Sequence, residues 1–407
     1  MRRKMLSNLF VGVMVCFLMF CLLCPCMLQA QVKKEIVIGA PIPLTGILSM
    51  EGDEERWAFE QAVKDVNAKG GIFVKQYKKK LPVRLVIADA ESDPAKSAAV
   101  VERLAKIDKV DLLLSTFSTN LVLPTSAAAE KLKVYYHATT CILEPWRDGK
   151  FKWSTLYFFE TFQAGELPFH LLDSIPAAER PKKIAILMED STDGRAFGPA
   201  FRAGAKKYKY DITVDESVTV GAKDYSSQIL KLKSKGIDGI IIFASSGDCI
   251  TFLRQTKEAR LNWKYVYGIK GTWAPDFWKA LGKDAQYVLA DGFWHMDFPY
   301  PRAKQLGRQY DKNYKKHSVS IGLFYTLAQT LFAAIEEAGT LDGAKVREAV
   351  LRTSFKGTAM GNVKYGSDGT AIFPCAAFQW WDGKLKVAYP FIKSGWKVKV
   401  APPWDKR

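Results

Sequence analysis

Apolar positions recur along the chain in short strand-like runs that alternate with longer stretches of helical spacing. Residues 35–42 (EIVIGAPI) and 82–91 (PVRLVIADAE) are apolar runs of the kind that form buried strands. Residues 54–71 (EERWAFEQAVKDVNAKGG) have apolar spacing near 3.6 and end in two glycines, which predicts a helix. This alternation predicts a parallel sheet with helices on its faces. It continues through residues 95–108, 110–116, 122–132 and 133–140.

The same pattern starts again at Lys182 and predicts a second α/β unit. Strand-like runs such as 237–245 (IDGIIIFAS) alternate with helical stretches such as 249–261 (CITFLRQTKEARL), and residues 376–391 alternate as in a hairpin. Two series of similar size predict two α/β lobes, each built on a doubly wound parallel sheet. No low-complexity linker separates the series, so several short strands are expected to cross between the lobes.

The first thirty residues predict a signal peptide that is removed on export. Residues 2–4 (RRK) form a basic start, residues 5–23 are almost entirely apolar, and Ala30 offers a small residue for cleavage. An uncleaved membrane anchor is the alternative, because the apolar run approaches the length that spans a bilayer. Removal of three basic residues lowers the formal net charge from +17 to +14, and residues 31–407 suffice for two separate cores.

Composition argues against several classes of site. The basic residues are scattered or stand in short solvated runs such as 75–80 (KQYKKK), so nucleic-acid binding is not predicted. The four histidines stand singly without metal-ligand spacing, so neither a metal nor a cofactor is predicted. Beyond the predicted signal peptide, the remaining cysteines leave open one disulfide or buried free thiols: Cys141, Cys249 and Cys375.

The chain also lacks the sequence motifs of common enzymes. It has no GxSxG elbow, no GxxxxGKS/T loop and no GxGxxG after the first strand, so no catalytic residue is predicted. Small hydroxyl residues instead follow two predicted strands, in 115–120 (STFSTN) and 137–141 (HATTC), at the sheet edge where ligands bind. Hydroxyl and backbone N–H groups there suit a carboxylate, and the alternative is that Ser118 and Thr140 only cap helices.

Several segments resemble the periplasmic solute-binding proteins of branched-chain amino acid (leucine-binding-protein-like) ABC transporters. They are IGAPIPLTG, VNAKGGI, ADAESDPAKSAAVVERL, KKIAILMEDSTDGRAF, DYSSQILKLKSKGIDGIIIFAS and FLRQTKEARL, in order along nearly the whole exported chain. The resemblance implies a type I periplasmic binding protein, whose two lobes are joined by a three-strand hinge and enclose the ligand in the interlobe cleft. The resemblance also implies that the two lobes close on the ligand by a hinge motion, as in other periplasmic binding proteins. The implied lobes are 31–158 with 296–358, and 159–295 with 359–407.

The resemblance also assigns one half of a ligand site. Ser118, Ala138 and Thr140 match the positions that hold the ligand's α-carboxylate in relatives. Thr119 and Thr139 are neighbours that can share this task. The resemblance therefore implies an intact carboxylate half.

The amine half departs from the family pattern. Asp193 and Ser245 stand where amino-acid-binding relatives carry tyrosines, Lys270 replaces the acid that pairs with the ligand ammonium, and Glu51 stands at an often aromatic position. Two cations in contact repel by several kcal/mol at an effective dielectric constant of about 20. If Lys270 faces the cleft, a ligand with a second anionic or carbonyl group is favoured. The alternatives are that Lys270 pairs with Asp193 or Glu51, that Asp193 binds the ammonium, or that Lys270 points to solvent.

Aromatic residues beside these positions favour a flat or apolar ligand body. Each of them alone is more typical of a core, but together they favour an aromatic or other organic acid over leucine. The four are Phe117, Phe158, Phe159 and Trp273.

The predicted function is the periplasmic substrate-binding component of an ABC importer. It would capture a small organic acid by hinge closure and present it to a membrane permease. An amino-acid-binding member of the same transporter family, and a ligand-sensing receptor module of the same fold, are the alternatives. An uncleaved signal segment would tether the protein to the membrane.

Overall fold

The structure, a computed structural model, describes residues 33–390 and 396–407. The predicted signal peptide, residues 1–30, lies outside these described residues. The strands are β1 (Ile36–Ile42), β2 (Ile72–Val74), β3 (Lys79–Leu81), β4 (Val83–Asp89), β5 (Leu112–Leu114), β6 (Tyr136–Thr139), β7 (Ser154–Tyr157), β8 (Ile184–Glu189), β9 (Ile212–Val218), β10 (Gly239–Ala244), β11 (Tyr265–Lys270), β12 (Leu289–Gly292), β13 (Ser354–Thr358), β14 (Gly361–Lys364), β15 (Thr370–Ala371), β16 (Ala376–Trp381) and β17 (Lys384–Tyr389).

The helices pack on these strands and alternate with them along the chain. They are α1 (Ser49–Asn67), α2 (Pro94–Lys106), α3 (Thr119–Leu132), α4 (Leu143–Asp148), α5 (Thr161–Asp173), α6 (Thr192–Lys207), α7 (Ser226–Ser234), α8 (Ser246–Glu258), α9 (Pro275–Leu281), α10 (Ala303–Tyr314), α11 (Ile321–Ala338) and α12 (Gly343–Arg352).

The first lobe is built on a parallel sheet with the strand order β15-β7-β6-β5-β1-β4. All seven residues of β1 are buried, as expected for a strand that is covered on both faces. Helix α11 packs on α1 and on α12, and its apolar face is buried along almost its whole length. The two-lobe α/β prediction is confirmed for this half of the chain.

The second lobe is built on a sheet with the order β17-β16-β12-β11-β10-β8-β9. Strands β8 to β12 pair in parallel, whereas β16 pairs antiparallel with both β12 and β17. The hairpin predicted at 376–391 is therefore present and extends the parallel sheet with an antiparallel edge. The second sheet is therefore mainly parallel, as predicted, with the hairpin at one edge.

Three chain segments cross between the lobes. The first follows β7 and leads to α5, which packs on α6 of the second lobe. The second follows β12 and leads to α10, which packs on α11 of the first lobe. The third joins β15, a strand of the first sheet, to β16 of the second. The predicted lobe boundary at residue 359 therefore falls too early, because residues 370–371 still pair with the first sheet.

The first helix begins earlier than the periodicity predicts, at Ser49 rather than at residue 54. Its first turn contains the buried Glu51 and Gly52, and a Cβ atom at Gly52 would lie 2.1 Å from the carbonyl oxygen of Pro43. The close approach holds this turn against the loop that follows β1. An acid in a buried turn breaks the apolar pattern, which explains why the sequence places the start too late.

Candidate functional site

A cavity of about 40 Å³ lies where the carboxyl ends of both sheets and the crossover segments meet. It is lined from the first lobe by residues that follow β5 and β6, and from the second lobe by residues that follow β8, β11 and β12 or lie near the end of β10. This is the strand edge at which parallel sheets bind ligands. This volume is well below the roughly 300–1,000 Å³ of typical small-molecule sites, so ligand binding requires the lining side chains or the lobes to move apart.

The wall of the cavity is dominated by aromatic rings. Phe117 of the first lobe and Trp273 of the second face each other, with ring centroids 6.3 Å apart. The rings of Phe158 and Phe159 stack at 4.1 Å within the first crossover. The complete aromatic lining is Phe117, Phe158, Phe159, Phe197, Phe243, Trp273 and Phe293.

The crossover segments contribute a packed group of phenylalanines, which we call the hinge cluster: Phe158, Phe159, Phe293 and Phe373. Phe293 of the second crossover lies 5.5 Å from Phe158, and Phe373 of the third lies 5.8 Å from Phe158, measured between ring centroids. Three members of the hinge cluster line the cavity, and Phe373 packs behind them. The same rings therefore join the crossovers and form the ligand wall.

Ser118 and Thr140 bring hydroxyl groups to the polar end of the cavity. Ser118 precedes α3 with a positive φ of 77°, and its side chain makes no hydrogen bond to the helix N-terminus. Its Oγ instead donates to Oδ2 of Asp193, in the opposite lobe, at 3.1 Å. The Thr140 hydroxyl donates to the carbonyl oxygen of Thr116 at 3.0 Å. The interpretation that these two side chains only cap helices is wrong.

The neighbours of these residues divide between the cavity and the core. Thr119 lines the cavity, and its Oγ1 accepts from the backbone N–H of Ile142 at 2.9 Å. Ala138 and Thr139 lie in β6 and are buried, outside the set of residues that line the cavity. The Thr139 hydroxyl donates to the carbonyl oxygen of Tyr157 at 2.6 Å, which occupies it within the sheet.

Lys270 lies between two carboxylates. Its Nζ donates to Oε1 of Glu189 at 2.6 Å and to Oδ2 of Asp193 at 3.2 Å. Only 11% of its side chain is exposed, so the interpretation that Lys270 points to solvent is wrong and its pairing with Asp193 is confirmed. Burial disfavours the charged ammonium, but attraction to Asp193 and Glu189 outweighs this and raises the pKa of Lys270 above its ordinary value.

The strand-to-helix turn after β8 positions both carboxylates. Ser191 caps α6 by accepting from the N–H of Gly194 at 3.1 Å, and its hydroxyl donates to Oε1 of Glu189 at 2.8 Å. A Cβ atom at Gly194 would lie 1.9 Å from the carbonyl oxygen of Glu189, so only glycine allows this close approach. Asp193 is thereby held beside Glu189 and directed into the cavity.

Asp291 adds a further acid to the polar end. It lines the cavity, and its Oδ1 accepts from the backbone N–H of Lys270 at 3.1 Å. Burial raises the pKa of Asp291 to about 7, although this hydrogen bond acts in the opposite direction. The ion cluster of Lys270, Glu189 and Asp193 has a formal charge of −1 when all three groups are ionised.

Two predicted site residues lie beside the cavity rather than in its wall. Ser245 caps α8 and donates to Oδ2 of Asp248 at 2.8 Å. Glu51 accepts from the hydroxyl of Ser246 at 3.5 Å, a contact between the two lobes. Burial raises the pKa of Glu51 to about 7, against the opposing effects of its hydrogen bonds and of Lys270.

Seven lining or pairing residues were not assigned to the site from the sequence: Ile142, Glu189, Phe197, Phe243, Ile269, Asp291 and Phe293. A signal for the acids was present, because both stand at the ends of buried apolar strands. Phe197 follows Asp193 by four positions on α6, which places both side chains on one helix face. Phe293 follows β12 directly, and only the crossover geometry turns it into the cavity.

A sequence model of the periplasmic binding protein family matches residues 35–384. The chain belongs to the periplasmic binding protein family. Leu/Ile/Val-binding protein homolog 7 of Brucella suis biovar 1 (strain 1330) is 24% identical to this periplasmic binding protein over 387 residues, covering 89% of this chain and 93% of that protein. The resemblance found in the sequence is thus confirmed.

Solved structures of similar fold support the architecture of the periplasmic binding protein. The branched-chain amino acid transporter substrate-binding protein LivJ from Streptococcus pneumoniae, in complex with isoleucine, has a TM-score of 0.76 and 19% identity, and covers 87% of this chain and 98% of its own. An ABC transporter solute-binding protein from Rhodopseudomonas palustris BisB5, in complex with 3,4-dihydroxybenzoic acid, has a TM-score of 0.73 and 17% identity, and covers 87% and 95%. At these identities the likeness is one of fold.

Membership of the family implies an exported periplasmic protein. Among the described residues, no helix combines the length and the hydropathy needed to cross a membrane. The sequence left open whether the remaining cysteines form a disulfide or are free thiols. In the structure all three are buried free thiols: Cys141, Cys249 and Cys375.

Proposed function

We propose that this periplasmic binding protein captures a small aromatic carboxylic acid for an ABC importer. The observation that carries the proposal is the cavity wall, in which seven aromatic rings surround a few polar groups at one end. Such a wall buries a flat apolar ligand and offers few hydrogen-bond partners to a hydrophilic one. The closed lobes then present the ligand to a membrane permease, which is the partner we propose.

The polar end offers donors for the carboxylate. Ser118, Thr119 and Thr140 line it with hydroxyl groups at the start of α3 and after β6, and Lys270 supplies an ammonium group. Trp273 adds an indole N–H that is buried and has no hydrogen-bond partner among the described residues. The fold neighbour in complex with 3,4-dihydroxybenzoic acid supports a ligand of this class. The proposed role is binding, with no catalytic residue and no cofactor.

An amino-acid ligand is a second candidate, which the charge of the ion cluster favours. Glu189 and Asp193 together outweigh Lys270 by one negative charge, and the second oxygen of each carboxylate is buried without a partner among the described residues. A ligand ammonium would pair with these oxygens. The Leu/Ile/Val-binding relatives and the isoleucine complex are consistent with this candidate.

Calorimetry with matched ligands separates the two candidates. 3-Phenylpropionate and phenylalanine differ only in the α-amine, and cyclohexanecarboxylate and benzoate differ in the flat ring. We expect the amine-free aromatic acids to bind the purified protein at least about tenfold more tightly than phenylalanine, because burial of an ammonium within a largely aromatic wall is costly. Tighter binding of phenylalanine or isoleucine would overturn the proposal in favour of the amino-acid candidate.

A further inference from the structure

The carboxylate of Asp193 is bound as a ligand carboxylate would be. Its Oδ2 accepts from the Ser118 hydroxyl of the first lobe at 3.1 Å and from the Lys270 ammonium of the second lobe at 3.2 Å. Asp193 itself stands in the second lobe, in the first turn of α6. A side chain of one lobe therefore occupies the hydroxyl donor of the other, at the polar end of the cavity.

Like charge prevents a second carboxylate from simply adding to this arrangement. Lys270 is already paired with Glu189 at 2.6 Å, and Asp193 brings the ion cluster to a formal charge of −1. An incoming carboxylate at Ser118 would lie beside Asp193 in a site that is largely shielded from water. Two carboxylates in contact at such a site do not both remain ionised at low cost.

We propose that Asp193 is an internal carboxylate that holds the two lobes together through Ser118 and that a ligand carboxylate must displace from this hydroxyl. The inference rests on the proposed function for its second part, because that part requires an acidic ligand. Its first part, the contact between the lobes, requires no ligand. Asp193 thereby determines specificity: it lowers the affinity for every monocarboxylate and rejects acids that cannot compete for Ser118.

The contact between the lobes is tested by the interlobe distance in the absence of added ligand. Spin labels at Lys131→Cys and Lys279→Cys, both exposed and one on each lobe, report the distance by pulsed electron paramagnetic resonance. We expect Asp193→Ala and Ser118→Ala to shift the distribution to the same longer distances, since each removes one end of the same hydrogen bond. Asp190→Asn in the same turn is the matched control, because its exposed carboxylate pairs with Arg195 on the surface.

The displacement is tested by calorimetry with benzoate and 3-phenylpropionate. Asp193→Ala leaves a neutral pair of Lys270 and Glu189 and frees the Ser118 hydroxyl, so we expect both acids to bind at least about tenfold more tightly than to the unchanged protein. Ser118→Ala also breaks the hydrogen bond to Asp193, but it removes the hydroxyl donor as well. We therefore expect no rise in the affinity of this variant for the two acids. Asp190→Asn should bind as the unchanged protein does.

The two experiments distinguish a failure of the inference from a failure of the proposed function. If no carboxylate binds any variant, the proposed function fails, and the distance measurement alone decides whether Asp193 joins the lobes. If Asp193→Ala binds the acids equally or more weakly, or if the distance distribution does not change in either variant, the inference is overturned. Should Asp193→Ala fold poorly, Ser118→Ala still tests the contact from the opposite lobe.

Discussion

At the scale of single residues, the N-terminal half of α1 contains an unusual group of buried acids. Glu54 accepts from the Ser318 hydroxyl at 2.9 Å, from the Ser320 hydroxyl and from Tyr310 Oη at 3.4 Å. Burial raises the pKa of Glu54 to about 7, although the hydrogen bonds from the two serines favour the ionised form. Burial also raises the pKa of Glu55 well above its ordinary value. These side chains bind protons in the folded protein at a pH where the unfolded chain releases them.

This linkage predicts that Glu54 lowers stability as pH rises from about 4.5 to about 7. In that range the folded state binds more protons than the unfolded state. The stabilisation that comes from proton binding to Glu54 is therefore fully present below about pH 4.5 and is lost as the pH rises to about 7. We expect Glu54→Gln to remove a slope of about 1 kcal/mol per pH unit. Urea unfolding at several pH values between 4.5 and 7.5 measures the slope.

The matched control for this prediction is Glu60→Gln, an exposed acid on the same helix. Its unfolding free energy should follow the pH dependence of the unchanged protein. A parallel pH profile for Glu54→Gln would show that Glu54 is ionised in the folded protein throughout the range.

At the scale of elements, the hinge cluster links the three crossovers to the ligand wall. Phe373 lies 5.8 Å from Phe158, 6.0 Å from Phe159 and 6.1 Å from Phe293 between ring centroids, and it is buried. It supports the rings that contact the cavity without lining the cavity itself. Changes in crossover geometry and changes in the shape of the wall are therefore coupled through packing rather than through polar contacts.

Truncation of Phe373 should weaken both the fold and the ligand site. We expect Phe373→Ala to lower the unfolding free energy by about 3–5 kcal/mol, because it leaves a void among three buried rings. Ligand affinity should also fall, since the supporting ring for Phe158, Phe159 and Phe293 is lost. Urea unfolding and calorimetry with the best ligand of the matched panel measure the two effects.

Ile372→Ala is the control for this variant, because Ile372 adjoins Phe373 in the same crossover and is half exposed. It should change the unfolding free energy by less than about 0.5 kcal/mol. A loss of stability in Phe373→Ala with unchanged ligand affinity would show that the hinge cluster does not support the cavity wall.

The sequence predicts elements better than it predicts the site. Strands such as β1 and β10 are continuous apolar runs, so local pattern is enough to place them. The partner of Lys270 depends instead on how β8, β11 and α6 meet at one edge of the sheet. The sequence therefore predicted Asp193 or Glu51 as the partner of Lys270 and did not predict Glu189. The third crossover was placed too early because the two-residue strand β15 has too few positions to show a period.

At the scale of the whole molecule, an ion pair between the lobes bears on the lobe closure that we propose. Lys316, just after α10 of the first lobe, donates to Oδ2 of Asp276 on α9 of the second lobe at 3.2 Å. Both side chains are partly exposed, which limits such a pair to about 0.2–1 kcal/mol. In the proposed mechanism ligand affinity depends on the free energy of closure, so even this small contribution alters the measured dissociation constant.

We therefore expect Lys316→Met to weaken ligand binding by about two- to fivefold at low ionic strength. The difference from the unchanged protein should shrink towards zero in about 1 M salt, where screening acts within about 3 Å. Lys312→Met, an exposed lysine on α10, is the control and should bind normally at both ionic strengths. Calorimetry at the two salt concentrations measures the dissociation constants. If Lys316→Met binds the ligand equally weakly in high salt, Lys316 contributes to closure by packing and not by electrostatic attraction.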